Sequence, residues 1–599
     1  MRLKHHCTCC VPAVLLLALT LGSASARAGE PAAPADVPDW ALAALTVREF
    51  GNGLEKAGAY CEKLLPNSSE LAKQTLTSFL FNLPVDAGLK NDGTATIYAL
   101  DPVATATKDE RAFVLPVADA GALRTALVNT YGAPTQGAGG TMTFVLPQPL
   151  PQPDKNLVVK LIKDKVLAAP SILLVNKLED YLADHPGGPF ARIAPKGAAL
   201  PDAVLTFKVA SFKRVYGDAL EASLQAAATV VARDGKIGAD ALQARMANVL
   251  ASLWQLEALE AQLELDPAGT KAALEIRALP VLGTPLANLL SEPATPTSGK
   301  LLGLMPPEPA FAATWNMNGT QWARMLRAEL DNQGQPAKPE VETMRALLDL
   351  LLLASSEMAL ALNGSANDGA GLLFGLQASD PQKALPATEA VFQAATKLME
   401  TMAAAGTAPF GLKQMPAAFQ GGVALQRYQL ESTAAAAPKA SSLLGWPLTV
   451  QFALTGNALA LTAGKQGLDT LKQAVEQAKA LAAGTAVPPA GKDGPLSILA
   501  NLGPGTFAAV TLYPVRLGRL ALAAVPPDAG VDAAKLSAGL TDSPAVLSLR
   551  QTENLFALRL DLPSAAPHAV YNMAQRYENA VARNRRNKAP EAVPAPPPP

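Results

Sequence analysis

The sequence predicts an α+β fold that is internally duplicated, with antiparallel sheets each backed by amphipathic helices, in two pseudo-equivalent lobes. Three observations predict it. The 599 residues are 49% hydrophobic and 17% charged, which is typical of folded chains and not of disordered ones. Stretches in which apolar and polar residues alternate are separated by turn sequences. The order of these stretches in the first half of the chain recurs in the second half.

The first 28 residues have the features of a secretory signal peptide. Arg2 and Lys4 supply a positive start, residues 11–21 are apolar, and residues 26–28 form an Ala-x-Ala cleavage site. The apolar run is shorter than the ~20 residues that span a bilayer. We therefore expect export by the general secretory route to the periplasm or the extracellular space, with an uncleaved anchor as the alternative.

Removal of the signal peptide changes the charge and the cysteine content of the chain. It takes away three of the 50 basic residues and none of the 51 acidic ones, which leaves a net charge of −4. One cysteine, Cys61, then remains, so no intrachain disulfide is expected. Cys61 is interpreted as a small buried apolar residue, and the alternative is a free thiol that reacts or forms an intermolecular disulfide.

After a polar lead (residues 29–37), the first α+β lobe is predicted over residues 38–296. Its subunits are about 38–190 and 200–290. The second subunit contains a strand at 262–265, a turn at 266–269 and an alternating strand at 272–277. A short unit of one hairpin and one helix cannot bury its apolar faces alone, so it should pair with the long unit before it.

The second lobe is predicted over residues 305–580, with subunits at about 305–485 and 498–580. Its last part repeats the same plan, with strands at 546–550 and 556–562 followed by a helix at 569–577. A polar linker at residues 297–304 should separate the lobes.

Residues 581–599 are predicted to be a tail that is first basic and then proline-rich and disordered. The basic part contains Arg583, Arg585, Arg586 and Lys588. These residues are interpreted either as the solvated end of a helix or as a surface that contacts an anionic part of the envelope.

A search for catalytic or metal-binding patterns finds none. His185 and His568 have no second histidine or cysteine at ligand spacing, so the sequence predicts no metal or cofactor. No phosphate-binding loop or nucleophile elbow is present in the sequence. Glu257, Glu260 and Glu264 recur at helical spacing and are interpreted as a solvated helix face.

Trp315 and Trp322 flank a polar turn at residues 316–319. Aromatic side chains beside amides suit the stacking of a sugar or peptide, but they more often anchor a strand and a helix in a core. Both tryptophans are therefore candidate interaction residues.

These observations predict a secreted, non-catalytic envelope protein that acts as a binding or scaffolding module through its sheet faces or a cleft between its lobes. The expected partner is another envelope protein, a lipid or an anionic envelope surface, and the nearly balanced charge excludes a nucleic-acid-coating protein. One alternative is a periplasmic carrier of an apolar ligand such as a lipid. A second is a hydrolase whose site is not recognisable in the sequence.

Overall fold

The computed structural model contains both helices and strands, 45% and 37% of the residues, with a large open antiparallel sheet. This confirms the predicted α+β class. The residues that the structure describes are 37–80, 88–107, 111–146, 155–185, 200–234, 247, 250–290, 300–306, 308–316, 327, 339–365, 369–404, 410–432, 448–464, 467–483, 497–500, 502, 505–523, 531–552 and 555–588.

The chain divides into two compact units. Unit 1 comprises residues 1–293 together with Gln551–Arg559, and unit 2 comprises Ala294–Arg550 and residues 560–599.

The strands of unit 1 are β1 (Ala41–Val47), β2 (Ala95–Leu100), β3 (Arg111–Pro116), β4 (Thr135–Gln136), β5 (Met142–Leu146), β6 (Lys155–Ile162), β7 (Lys165–Ala169), β8 (Ala203–Lys208), β9 (Leu256–Leu265) and β10 (Lys271–Pro280). Its helices are α1 (Phe50–Leu64), α2 (Ser69–Leu80), α3 (Pro102–Thr105), α4 (Ala120–Tyr131), α5 (Ile172–Asp184), α6 (Val209–Asp234) and α7 (Pro285–Leu290).

The strands of unit 1 pair antiparallel in the order β4-β5-β6-β7-β3-β2-β1-β8-β9-β10. Neighbouring residues of a strand point to opposite faces of the sheet, and helices pack on both faces. On one face Ile97 packs with Phe50 of α1 and Leu123 of α4. On the other face Tyr98 packs with Leu178 of α5.

The strands of unit 2 are β11 (Phe311–Trp315), β12 (Ala354–Ser365), β13 (Gly369–Ala378), β14 (Phe410–Gln420), β15 (Val423–Ser432), β16 (Leu448–Thr455), β17 (Ala458–Gly464), β18 (Thr506–Leu512) and β19 (Ala545–Thr552); β20 (Leu555–Pro563) begins in the segment that clusters with unit 1. The helices are α8 (Pro339–Leu352), α9 (Pro381–Ala404), α10 (Gly467–Ala482), α11 (Ser497–Ala500), α12 (Pro514–Ala523), α13 (Ala533–Ser537) and α14 (Ala565–Lys588).

The strands of unit 2 pair antiparallel in the order β14-β15-β16-β17-β13-β12-β11-β18-β19. This is the order of the first nine strands of unit 1 with each number raised by ten. Phe452 packs with Leu350 of α8 and Ala384 of α9 on one face. On the other face Ala460 packs with Leu471 of α10.

The turn between β9 and β10 is fixed against α1. Gly269 has a φ of +68°, a conformation that glycine adopts without steric cost. A Cβ at this position would lie 2.5 Å from the carbonyl carbon of Ala59 in α1. The close approach of hairpin and helix therefore requires glycine here.

Two segments differ from the sequence prediction. Lys300–Leu304, expected as the end of the linker, forms a short 3-10 helix in which Leu301, Leu302 and Leu304 are buried in the core of unit 2. Burial of these apolar side chains stabilises the folded state, whereas a flexible linker would leave them exposed to water. The basic segment expected as the start of a tail continues helix α14 to Lys588, and residues 589–599 lie outside the described part of the chain.

Candidate functional site

Strands β8, β9 and β10 bury polar side chains on one face of the sheet. Thr206 lies opposite Glu260, and Gln262 lies opposite Glu275, so that these residues share a face. All four are buried, with Glu260 5% and Glu275 3% exposed. The helical, solvated interpretation of Glu257, Glu260 and Glu264 is therefore wrong, because the segment is a strand and Glu260 points to its buried side.

Ion pairs account for much of this buried charge. The Nε of Arg277 donates to Glu275 at 2.7 Å. Arg559, in the segment Gln551–Arg559 of unit 1, lies 2.7 Å from Glu264 and 3.5 Å from Glu275. Buried carboxylates need such partners, since an unpaired buried charge is strongly destabilising.

The opposite face of the same three strands is apolar and partly open to solvent. Leu205 is 42% exposed and Leu274 37% exposed. Around them lie further half-buried apolar side chains, which are Phe207, Leu259, Ala261, Leu263 and Ile276. We call these seven residues the unit 1 apolar face. This part of the sheet thus buries polar side chains among apolar ones on one side and leaves apolar side chains partly open on the other, whereas an ordinary half-buried sheet turns its polar residues to solvent.

Unit 2 has a face with the same character on β18 and β19. Thr511 and Ser548 are buried on one side of these strands, whereas Leu512 on the other side is 37% exposed. Ala508, Val510, Leu547 and Leu549 share the face of Leu512 and are half-buried. These five residues form the unit 2 apolar face.

Trp315, at the end of β11, is half-buried and packs against Phe374, with ring centroids 6.2 Å apart. This is the packing of a strand anchor, and it leaves part of the indole open to solvent. Trp322, the second predicted interaction residue, lies outside the described residues.

Cys61 is a free, half-buried cysteine on α1. Burial raises the pKa of its thiol above the ordinary value. A raised pKa reduces the fraction of reactive thiolate at neutral pH.

The two histidines are far apart in the sequence and occupy helix termini. His185 ends α5, where its Nδ1 lies 3.0 Å from the carbonyl oxygen of Tyr181 and its ring stacks on the tyrosine ring at 4.5 Å. His568 lies in the first turn of α14, and its backbone N–H donates to Ser564. Asp184, which precedes His185 in the sequence, is the last residue of α5.

Among the basic residues near the end of the chain, Arg583 is exposed on α14. Arg585, Arg586 and Lys588 continue the same helix. The structure therefore brings all four predicted residues onto one helical turn and its neighbour.

The described residues contain no group of three or more His, Cys, Asp and Glu that could hold a metal ion. In that same part of the chain, no helix combines the length and the apolar character needed to cross a bilayer. No protein-family model, curated protein or solved structure matches the sequence.

The two apolar faces were not predicted from the sequence. In β9 both sets of alternating residues contain apolar side chains, Leu256 and Ala258 on one side and Leu259 and Leu263 on the other. Arg277 lies opposite the buried Glu260 on β10. The signal that could have revealed the face is therefore the pairing of acidic and basic residues across a predicted hairpin.

Proposed function

We propose that the protein is an exported, non-catalytic binding module that takes an apolar chain on the unit 1 and unit 2 apolar faces. The observation that carries the proposal is the partly open apolar side of β8–β10. Leucines there are about two-fifths exposed, while acidic and amide side chains of the same strands are buried. Contiguous exposed apolar surface is a common mark of a binding site.

The size of the face favours a chain-like ligand over a large protein partner. Three strands about 4.8 Å apart and about five residues of 3.3 Å each give a strip of about 10 by 17 Å. A stable protein interface buries about 800 Å² on each partner, several times that area. Carriage of an acyl chain or a similar apolar ligand is thus the second function that this surface supports.

We further propose that the chain arose by duplication of one sheet-and-helix module. The common strand order of the two units supports it, and so does the register. Ala44 of β1 lies opposite Thr206 of β8, and Ala312 of β11 lies opposite Thr511 of β18. In both units a helix begins three residues after that threonine.

The test combines native mass spectrometry and a fluorescent probe. Protein purified from the cell envelope should carry an additional mass that organic extraction removes. The double variant Leu205→Gln/Leu274→Gln should bind 1-N-phenylnaphthylamine at least fivefold more weakly than the wild type. The matched control is Leu173→Gln on α5, a leucine that is 71% exposed and lies away from the unit 1 apolar face.

A protein that carries no removable mass, and whose probe binding is the same in the double variant and in Leu173→Gln, would contradict the proposed function. Export is tested separately by sequencing the amino terminus of the secreted protein. It should begin at Gly29 if residues 1–28 are removed.

A further inference from the structure

The first half of helix α14 packs against unit 2. Ala569 and Met573 are buried and contact Val515 of α12. Arg576 then donates to the carbonyl oxygens of Leu536 and Ala538, at 2.9 and 2.8 Å. Beyond Arg576, none of the described side chains to residue 584 is buried. Over residues 577–584, the side chains of α14 are therefore exposed or half-buried on every side of the helix.

An apolar stripe runs along α14 beside its packed side. Val570, Ala574, Tyr577 and Val581 follow at intervals of four, three and four residues, which places them in one line on a helix. Val570 is 53% exposed and Tyr577 and Val581 are half-buried. A soluble helix normally turns such a stripe toward its own core.

The second half of α14 is strongly basic. Between Tyr577 and Lys588 there are four cations, Arg583, Arg585, Arg586 and Lys588, and one acid, Glu578. The chain as a whole is slightly acidic, with 50 basic and 51 acidic residues. The positive charge is thus local, and it would orient the protein at a negatively charged surface.

We propose that the second half of α14 is a peripheral membrane contact that binds anionic phospholipid headgroups. Cations at the end of the helix pair with the lipid phosphates, and the Val570–Val581 stripe enters the headgroup region. An apolar stripe joined to a basic segment is the pattern of interfacial helices. Tyrosine suits that position because its ring is apolar and its hydroxyl is polar.

The experiment is co-sedimentation of the full chain with vesicles of phosphatidylcholine, alone or mixed with phosphatidylglycerol. Each basic residue near an anionic surface multiplies partitioning about fivefold. The variant Arg583→Gln/Arg585→Gln/Arg586→Gln/Lys588→Gln should therefore lose about 10²- to 10³-fold in binding to the mixed vesicles. The wild type should bind them at 50 mM salt, lose most of that binding at 500 mM salt, and bind pure phosphatidylcholine weakly.

The matched control removes four exposed lysines elsewhere, Lys383, Lys397, Lys413 and Lys535, by the same change to glutamine. It has the same net charge as the α14 variant and should bind like the wild type. Equal loss in both variants, or no loss in the α14 variant, would overturn the proposal.

A second readout reports on the apolar stripe. In Val581→Trp the emission should shift to shorter wavelength with the anionic vesicles and stay unchanged with soluble polyglutamate. Binding to polyglutamate without binding to vesicles would assign the helix to an acidic protein and overturn the membrane contact. Circular dichroism of each variant verifies that the fold is retained.

Discussion

Units 1 and 2 have the same strand order but fill the space beneath the helix after their seventh strand in different ways. In unit 1, Tyr98 on β2 is fully buried, with Trp40 at 5.2 Å and Tyr181 of α5 at 6.2 Å between ring centroids. In unit 2 the residue at the same register is Ala361, since Tyr98 lies opposite Ala44 and Ala361 opposite Ala312. Among the described residues that pack in this layer of unit 2, none is aromatic.

The short 3-10 helix Lys300–Leu304 supplies the missing volume in unit 2. Leu301 and Leu302 are each 1% exposed and pack against Ala361 and against Val475 of α10. The space inside a core must be filled at close packing, but the side chains that fill it can come from different parts of the chain. The comparison teaches that one architecture can draw its core from a strand in one unit and from an added segment in the other.

The largest effect is expected from removing the aromatic volume in unit 1. Tyr98→Ala should destabilise the protein by about 3–5 kcal/mol, because it deletes a fully buried ring. Hydrogen exchange followed by mass spectrometry should show faster exchange in β1, β2 and β3. Exchange in β11–β13 should stay as in the wild type, and equal acceleration in both units would contradict the independent cores.

The reciprocal change removes the added segment's contribution to unit 2. Leu302→Ala should cost about 2–5 kcal/mol through loss of burial and the cavity it leaves. Faster exchange should appear in β12, β13 and α10, and unit 1 should be unaffected. Restriction of the effect to Lys300–Leu304 would show that this segment is a linker and not part of the core.

The two units also differ in the helix that follows their eighth strand, at the sixth residue of that helix. In unit 1 this is Arg214 of α6, which pairs with the carboxylate of buried Asp101. In unit 2 it is Arg519 of α12, which donates to the neutral hydroxyl of Ser537 at 2.7 Å. Burial alone would raise the pKa of Asp101, but hydrogen bonds from the N–H groups of Ala104 and Val103 and from Arg214 outweigh it and lower the pKa.

Asp101→Asn should therefore destabilise the protein by about 1–3 kcal/mol at neutral pH. A carboxyl group with a lowered pKa stabilises the fold above its ordinary pKa of 3.8, and that stabilisation is lost as the pH falls below it. The difference in the free energy of unfolding between wild type and variant should shrink from pH 6 to pH 3. Ser537→Ala, the control in unit 2, should show a difference that does not change over this range.

The smallest effect is expected at the apolar faces. Leu205→Gln in unit 1 and Leu512→Gln in unit 2 should each change the free energy of unfolding by no more than about 0.5 kcal/mol, because both side chains already contact water. Thermal unfolding measures this directly. A loss of several kcal/mol at either position would show that the face belongs to a core and would remove it as a binding surface.

The sequence predicted local structure well and long-range pairing poorly. The hairpin strands at 262–277 and 546–562 and the helix at 569–577 lie where alternation and spacing place them. The position of β1 between β2 and β8 depends on partners about 50 and about 160 residues away, which no local pattern contains. In addition, Tyr98 of unit 1 corresponds to the much smaller Ala361 of unit 2. A comparison of the residue types in the two halves of the sequence therefore does not reveal that the two cores correspond.

The candidate site was still harder to predict. Alternation identifies the two sides of a strand but not which side meets water, and in β9 the buried side carries Glu260 and Gln262. The basic residue opposite Glu260 is Arg277, which lies on the neighbouring strand. By contrast, the basic residues of α14 were visible in the sequence, because a charge cluster needs no partner to be recognised.

The close contact of Gly269 with Ala59 also limits how early this part of unit 1 can fold. The two residues are separated by about two hundred positions, so α1 cannot acquire this neighbour until most of the first half of the chain has been made. At about 5–20 residues per second, ribosomes need about 10–40 s to add that length. During that interval the part of α1 around Ala59 lacks the hairpin that packs against it in the folded protein.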